Sequence, residues 1–133
     1  MRLAAAIVLA ACCVASNAGA AEASGTEFLV FSQCKPGMKA RCDAWYAKHL
    51  QDITRIEGVA SARQFAVVPV AGRDGMKKDR LIVYQLAGDP AVVLARLRPA
   101  VQAGRLASPD AEIFETPFET VVVSPAGADV KAH

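Results

Sequence analysis

Cys42-Asp43-Ala44-Trp45-Tyr46-Ala47-Lys48-His49-Leu50-Gln51-Asp52 reads as the body of a long helix running from Met38 to Ile56. At about 100° per residue, Met38, Cys42, Trp45, Ile53 and Ile56 fall on one stripe, with His49 near its middle. Tyr46 sits on one margin of that stripe and Asp52 on the other, while Arg41, Lys48, Gln51, Thr54 and Arg55 face away. An imidazole therefore points into whatever this helix packs against, with an indole one turn before it and a carboxylate one turn after. Gly58 follows as a C-cap that closes the helix.

Upstream, the aromatic and β-branched run Glu27 to Gln33 predicts a strand, broken by Cys34-Lys35-Pro36-Gly37. Downstream, Val59 to Ala71 predicts a second strand, with Pro69 marking an edge or a bulge near its end. Residues 72–79 form a polar hairpin loop, and Arg80 to Leu86 alternates as a third strand. Asp89 and Pro90 open a second helix as N-cap and first helical residue. Val93, Leu94, Leu97 and Val101 form its inner face; Pro99 kinks or ends it, and Gly104 closes it. After a loop over 106–111, residues 112–123 predict a last strand whose Pro117 demands an edge position or a bulge.

Strand, helix, strand, strand, helix, strand is the ferredoxin-like βαββαβ order of an α+β protein, a four-stranded antiparallel sheet with two helices on one face. The strand residues are apolar on both faces. A domain over 27–124 cannot leave that much apolar surface in water, so a homodimer packed sheet to sheet is expected.

Residues 1–20 read as a signal peptide: Arg2 as a minimal basic start, an apolar stretch from Leu3 to Ala15, and Ala18-Gly19-Ala20 before cleavage near Ala20/Ala21. The rival reading is a lipobox, Leu9-Ala10-Ala11-Cys12, which would anchor the chain to a membrane through lipid on Cys12. Either implies export, to the periplasm or beyond. Residues 21–26 are expected as a flexible lead-in and 125–133 as a flexible tail. A formal net charge of +2 without a basic run argues against nucleic acid as a partner. Cys34 and Cys42 then remain, at a strand end and on the next helix; a disulfide across the loop and a buried free thiol at Cys42 are both open.

Trp45-x-x-x-His49, the surrounding run Asp43 to Asp52, and Gly58-Val59-Ala60-Ser61-Ala62-Arg63-Gln64-Phe65 resemble the EthD-like group of dimeric α/β-barrel proteins, small bacterial members above all. Arg80 to Leu86 is similar to their third strand, while Gln51 and Glu57 stand where those members carry proline. The resemblance covers roughly residues 27–124 and implies a dimeric α/β barrel with a pocket between helices and sheet. It implies cofactor-free chemistry on aromatic or lactone substrates only loosely, since relatives differ in reaction.

In such a pocket His49 is the natural acid/base, since a free imidazole titrates near neutrality. Asp52 is expected to fix its tautomer, and Tyr46 to donate to a developing oxyanion. Trp45, Tyr84 and Arg63 are the candidate substrate-pocket residues. No phosphate loop, Ser-His-Asp set, haem-attachment motif or metal cluster is present, so no cofactor or metal is expected. The expected activity is cofactor-independent acid/base chemistry on a small aromatic or carbonyl compound. Non-catalytic binding of a small apolar or aromatic ligand, or a purely structural dimer, are the alternatives.

Overall fold

A computed structural model describes residues 25–72, 77–128 and 130–132. The leader, the lipobox at Cys12 and most of the lead-in lie outside the described residues. The elements are β1 (Thr26–Cys34), α1 (Lys39–Ile53), β2 (Val59–Ala66), β3 (Arg80–Leu86), α2 (Pro90–Ala95), α3 (Leu97–Gln102) and β4 (Phe114–Val123). The four strands form one antiparallel sheet in the order β2-β3-β1-β4, the ferredoxin-like arrangement expected. Thr26, assigned to the lead-in, instead begins β1 and bonds Ser124 through its hydroxyl at 3.0 Å.

The sheet face under the helices is set by strand parity. Val30, Ser32 and Cys34 on β1 and Arg80, Ile82, Tyr84 and Leu86 on β3 are all buried. They meet Cys42, Tyr46, His49 and Ile53 from α1 and Val93 from α2. The opposite face carries Leu29, Phe31, Leu81 and Val83 at the centre, with Phe65, Val121 and Val123 exposed around them.

Three further differences from the sequence reading have a physical cause. First, α1 ends at Ile53, short of Ile56, and a turn through Ile56 leads to Gly58. Next, β2 stops at Ala66, three residues before Pro69: Val67 still donates its N–H to the Asp79 carbonyl at 2.9 Å, but Pro69 has no N–H with which to carry the ladder on. Finally, the second helix is two helices. Pro99 has no N–H to give to Ala95, and the break falls at Arg96, which leaves Pro99 in the first turn of α3 where that donor is not needed. Asp89 caps α2 as expected, accepting from the Ala91 N–H at 2.9 Å. Pro117 sits in edge strand β4 at a register shift opposite Ser32, preceded by a cis peptide bond.

The structure joins Cys34 to Cys42 in a disulfide, with Cα atoms 6.3 Å apart and a sequence separation of 8. The bond ties the end of β1 to the first turn of α1. For a closed loop this short, chain entropy gives about 2–3 kcal/mol of stabilisation. Cys34→Ala with Cys42→Ala is therefore expected to lower the unfolding free energy by that much, read as a lower urea midpoint. An unshifted midpoint would show that the bond contributes nothing.

Candidate functional site

His49 lies on the buried face of α1, 8 % exposed, beneath a cavity of about 310 Å³ between the helices and the sheet. One wall is aromatic. The Trp45 indole stacks on the His49 ring at 4.4 Å and 15°, and Phe28 stacks on Tyr84 at 5.8 Å. Val30, Ile53, Phe118 and Thr120 continue the floor, while Leu97, Val101, Leu106, Ala107 and Pro109 form the outer wall.

The polar centre of this cavity is a pair. His49 Nε2 and the Tyr84 hydroxyl share a buried hydrogen bond of 3.0 Å. His49 Nδ1 is buried without a hydrogen-bond partner. Burial pushes the imidazole pKa down from 6.5 to about 4, against a smaller upward pull from the Asp52 charge and a still smaller downward push from Lys48. Burial also pushes the Tyr84 phenol up, with the nearby Tyr46 adding to it. At neutral pH both partners are uncharged. The expected imidazole titrating near neutrality is thus corrected: desolvation in an apolar wall outweighs the carboxylate next to it.

Asp52 does not hold His49. Its carboxylate is taken by Lys48 and, at 3.5 Å, by Arg55, and the hydrogen bond from Lys48 first of all holds its pKa low. Helical spacing favours these partners, which sit one turn before and after it on the exposed side. The residue that anchors His49 is Tyr84, from the central strand β3. Tyr46 presents its ring to the cavity, but its hydroxyl is bonded to Ser32 at 2.6 Å, away from any ligand. Burial is the main cause that raises its pKa.

Arg63 is on the other side of the sheet. It pairs in register with Val83, lies exposed, and sits over the Phe65 ring at 5.9 Å. The cause is a register shift between Val59 and Ser61. A single inserted residue reverses the facing of everything after it, so Ala62 and Gln64 turn to the helices and Arg63 turns outward.

Sequence reasoning missed Phe28, Phe118 and Thr120 and the outer wall from Leu97 to Pro109. Phe28 shares the parity of Val30 and was legible on that ground. In the outer wall Leu97 and Val101 carry the signal of an inner helix face, which does not tell core from cavity lining, and Leu106, Ala107 and Pro109 come from a loop without periodicity.

A second depression of about 450 Å³ opens at the disulfide end of the sheet, ringed by Lys35, Lys39, Asp43, Asp79 and Arg80. Its charges answer one another: Asp43 takes hydrogen bonds of 2.6 Å from both Lys39 and Arg80. Those bonds, that from Lys39 first, hold the Asp43 pKa low. Among the described residues, no three His, Cys, Asp or Glu side chains gather where a metal could bind, and no helix is long and apolar enough to cross a membrane.

No protein-family model matches the chain, and no curated protein matches it in sequence. Solved structures do match. A protein from Arabidopsis thaliana is 9% identical, with 79% of this chain and 99% of that one covered at a TM-score of 0.59. A protein of unknown function from Nitrosomonas europaea is 18% identical, with 81% and 95% covered at a TM-score of 0.52. An ethyl tert-butyl ether d (EthD) family protein from Bacillus halodurans C-125 also superposes, 9% identical, with 75% and 97% covered at a TM-score of 0.48. The likeness is one of fold: the chain is a ferredoxin-like α+β protein, the arrangement expected from its order of strands and helices.

Proposed function

We propose that the chain binds a small, flat, largely apolar compound carrying a carbonyl or hydroxyl oxygen in the cavity beside His49, and acts on it by proton transfer without a cofactor. The observation that carries this reading is the buried His49–Tyr84 pair, set in an otherwise apolar wall beside open volume. A polar pair in such a place costs desolvation unless it has a use or a full set of partners, and Nδ1 has none. The Tyr84 hydroxyl can receive a proton from the ligand while passing its own to the neutral Nε2 of His49, which leaves the ligand an anion beside an imidazolium. Trp45 and Phe28 supply the flat surfaces against which a ring would lie.

The pKa of about 4 favours a second reading, binding without turnover, because an imidazole so hard to protonate is a weak base. Mass spectrometry of small molecules retained through purification identifies the compound in either case. His49→Ala is then expected to abolish its turnover and leave its binding within a few-fold. Tyr84→Phe is expected to weaken binding about five-fold, the loss of one hydrogen bond. Retained turnover in His49→Ala rejects the catalytic role. Absence of any retained compound, with no response of Trp45 emission to indole-sized ligands, rejects the pocket.

The apolar outer sheet face supports a homodimer joined through it, and the leader supports export, with a lipid anchor on Cys12 as the alternative. Leu81→Asp, at the centre of that face, is expected to convert a sedimenting dimer to a monomer at micromolar concentration. A native chain that already sediments as a monomer overturns the dimer.

A further inference from the structure

We infer that the cavity beside His49 accepts its ligand only in uncharged form: a neutral ring compound with one hydrogen-bonding oxygen, and not the carboxylate or ammonium relatives of the same compound. The inference rests on the pocket reading above and narrows it.

The ground is the charge content of the walls. None of the residues around the cavity is Asp, Glu, Lys or Arg. The polar side-chain atoms of the lining belong to Trp45, His49, Tyr84 and Thr120, all of them uncharged, the Tyr46 hydroxyl being bonded to Ser32. The nearest charges on α1 are turned elsewhere. Lys48, Asp52 and Arg55 gather with Arg105 around a separate depression of about 270 Å³, where Asp52 is bound by both Lys48 and Arg55. A carboxylate entering beside His49 would leave water and meet no cation, and an ammonium would meet no anion. Either costs several kcal/mol uncompensated. The imidazole does not rescue an anion, because it is neutral at physiological pH. A neutral oxygen group keeps one partner in the Tyr84 hydroxyl: with Nε2 accepting from Tyr84 the phenol oxygen accepts from a ligand O–H or N–H, and with Nε2 protonated the phenol donates to a ligand carbonyl.

The size and shape agree. About 310 Å³ is the space of some ten waters, enough for a one- or two-ring compound and little more.

Calorimetric titration of the purified full chain at pH 7 with benzamide, benzyl alcohol, benzoate and benzylamine tests this. Trp45 is the sole tryptophan and stacks on His49, so its emission gives an independent reading of the same site. The neutral pair is expected to bind, and benzoate and benzylamine to bind at least about a hundred-fold more weakly. Thr120 is exposed at its surface side and lines the cavity, so Thr120→Lys is expected to raise benzoate affinity at least ten-fold. Benzoate binding as well as benzamide in the unaltered chain overturns the inference and leaves the pocket standing. Failure of all four probes overturns both.

Discussion

Between pH 6.5 and about 4 the protein is expected to lose roughly 3 kcal/mol of stability that a His49→Gln variant keeps. The imidazole is protonated below 6.5 when the chain is unfolded, but burial delays protonation in the folded state to about 4. Throughout that window the unfolded chain binds more protons, so stability rises with pH and is complete above 6.5. Denaturant titrations of the two chains at half-unit steps measure the difference directly. Comparison with the variant removes the other titrating groups. Asp43 and Asp52, whose pKa values are lowered from 3.8 by their Lys and Arg partners, lose their contribution only as pH falls below the His49 window. Parallel curves for the two chains from pH 6.5 to 4 would mean that His49 reaches water, and the uncharged site would lose its basis.

Gly58→Ala is expected to cost about 3 kcal/mol or more, from two independent causes. The residue holds φ at +93°, where an alanine is strained. A Cβ there would also collide with Val93 Cγ2 and crowd Arg96 Nη1 at 3.2 Å and the Ala87 carbonyl at 3.3 Å. Val93 is 1 % exposed and has nowhere to go. The Gly58 carbonyl accepts from the Ala87 N–H at 2.8 Å, so the distortion reaches the junction of β2, β3 and α2. Thermal denaturation of Gly58→Ala, Val93→Ala and the double variant separates the causes. The double variant is expected to be more stable than the sum of the single losses, because Val93→Ala relieves the collision but not the φ strain. Strict additivity would remove the steric part.

The first helix made most of the fold legible. Its stripe gave the buried face, and Cys42, His49, Ile53 and Ile56 are indeed buried. Tyr46, placed at the margin, is only 1 % exposed, because Phe114 from β4 and the neighbouring Trp45 ring close over it. The strand order followed from punctuation by glycine and proline. Facing did not, and Arg63 shows why: one extra residue in β2 reverses its side, and nothing in Val59-Ala60-Ser61 announces the insertion. In β4 the shift leaves parity intact. Glu115 and Glu119 pair with Gln33 and Phe31, so Phe114 and Phe118 both reach the helix side. The partner of His49 was illegible for a related reason. Asp52 is close along the chain, but Tyr84 is close through the sheet, and register alone brings it there.

The division of the second helix into six-residue α2 and α3 bears on how firmly the outer wall of the cavity is held. Helices of that length have no stability of their own and hold only by what they touch. Leu97, Val101 and Leu106 are therefore drawn from a segment whose amides are expected to exchange with solvent faster than those of the central strands β1 and β3. The aromatic floor around His49 belongs to the slowly exchanging part of the molecule. Its outer wall belongs to the part that opens first, so the width of the cavity is set by the least stable segment that lines it.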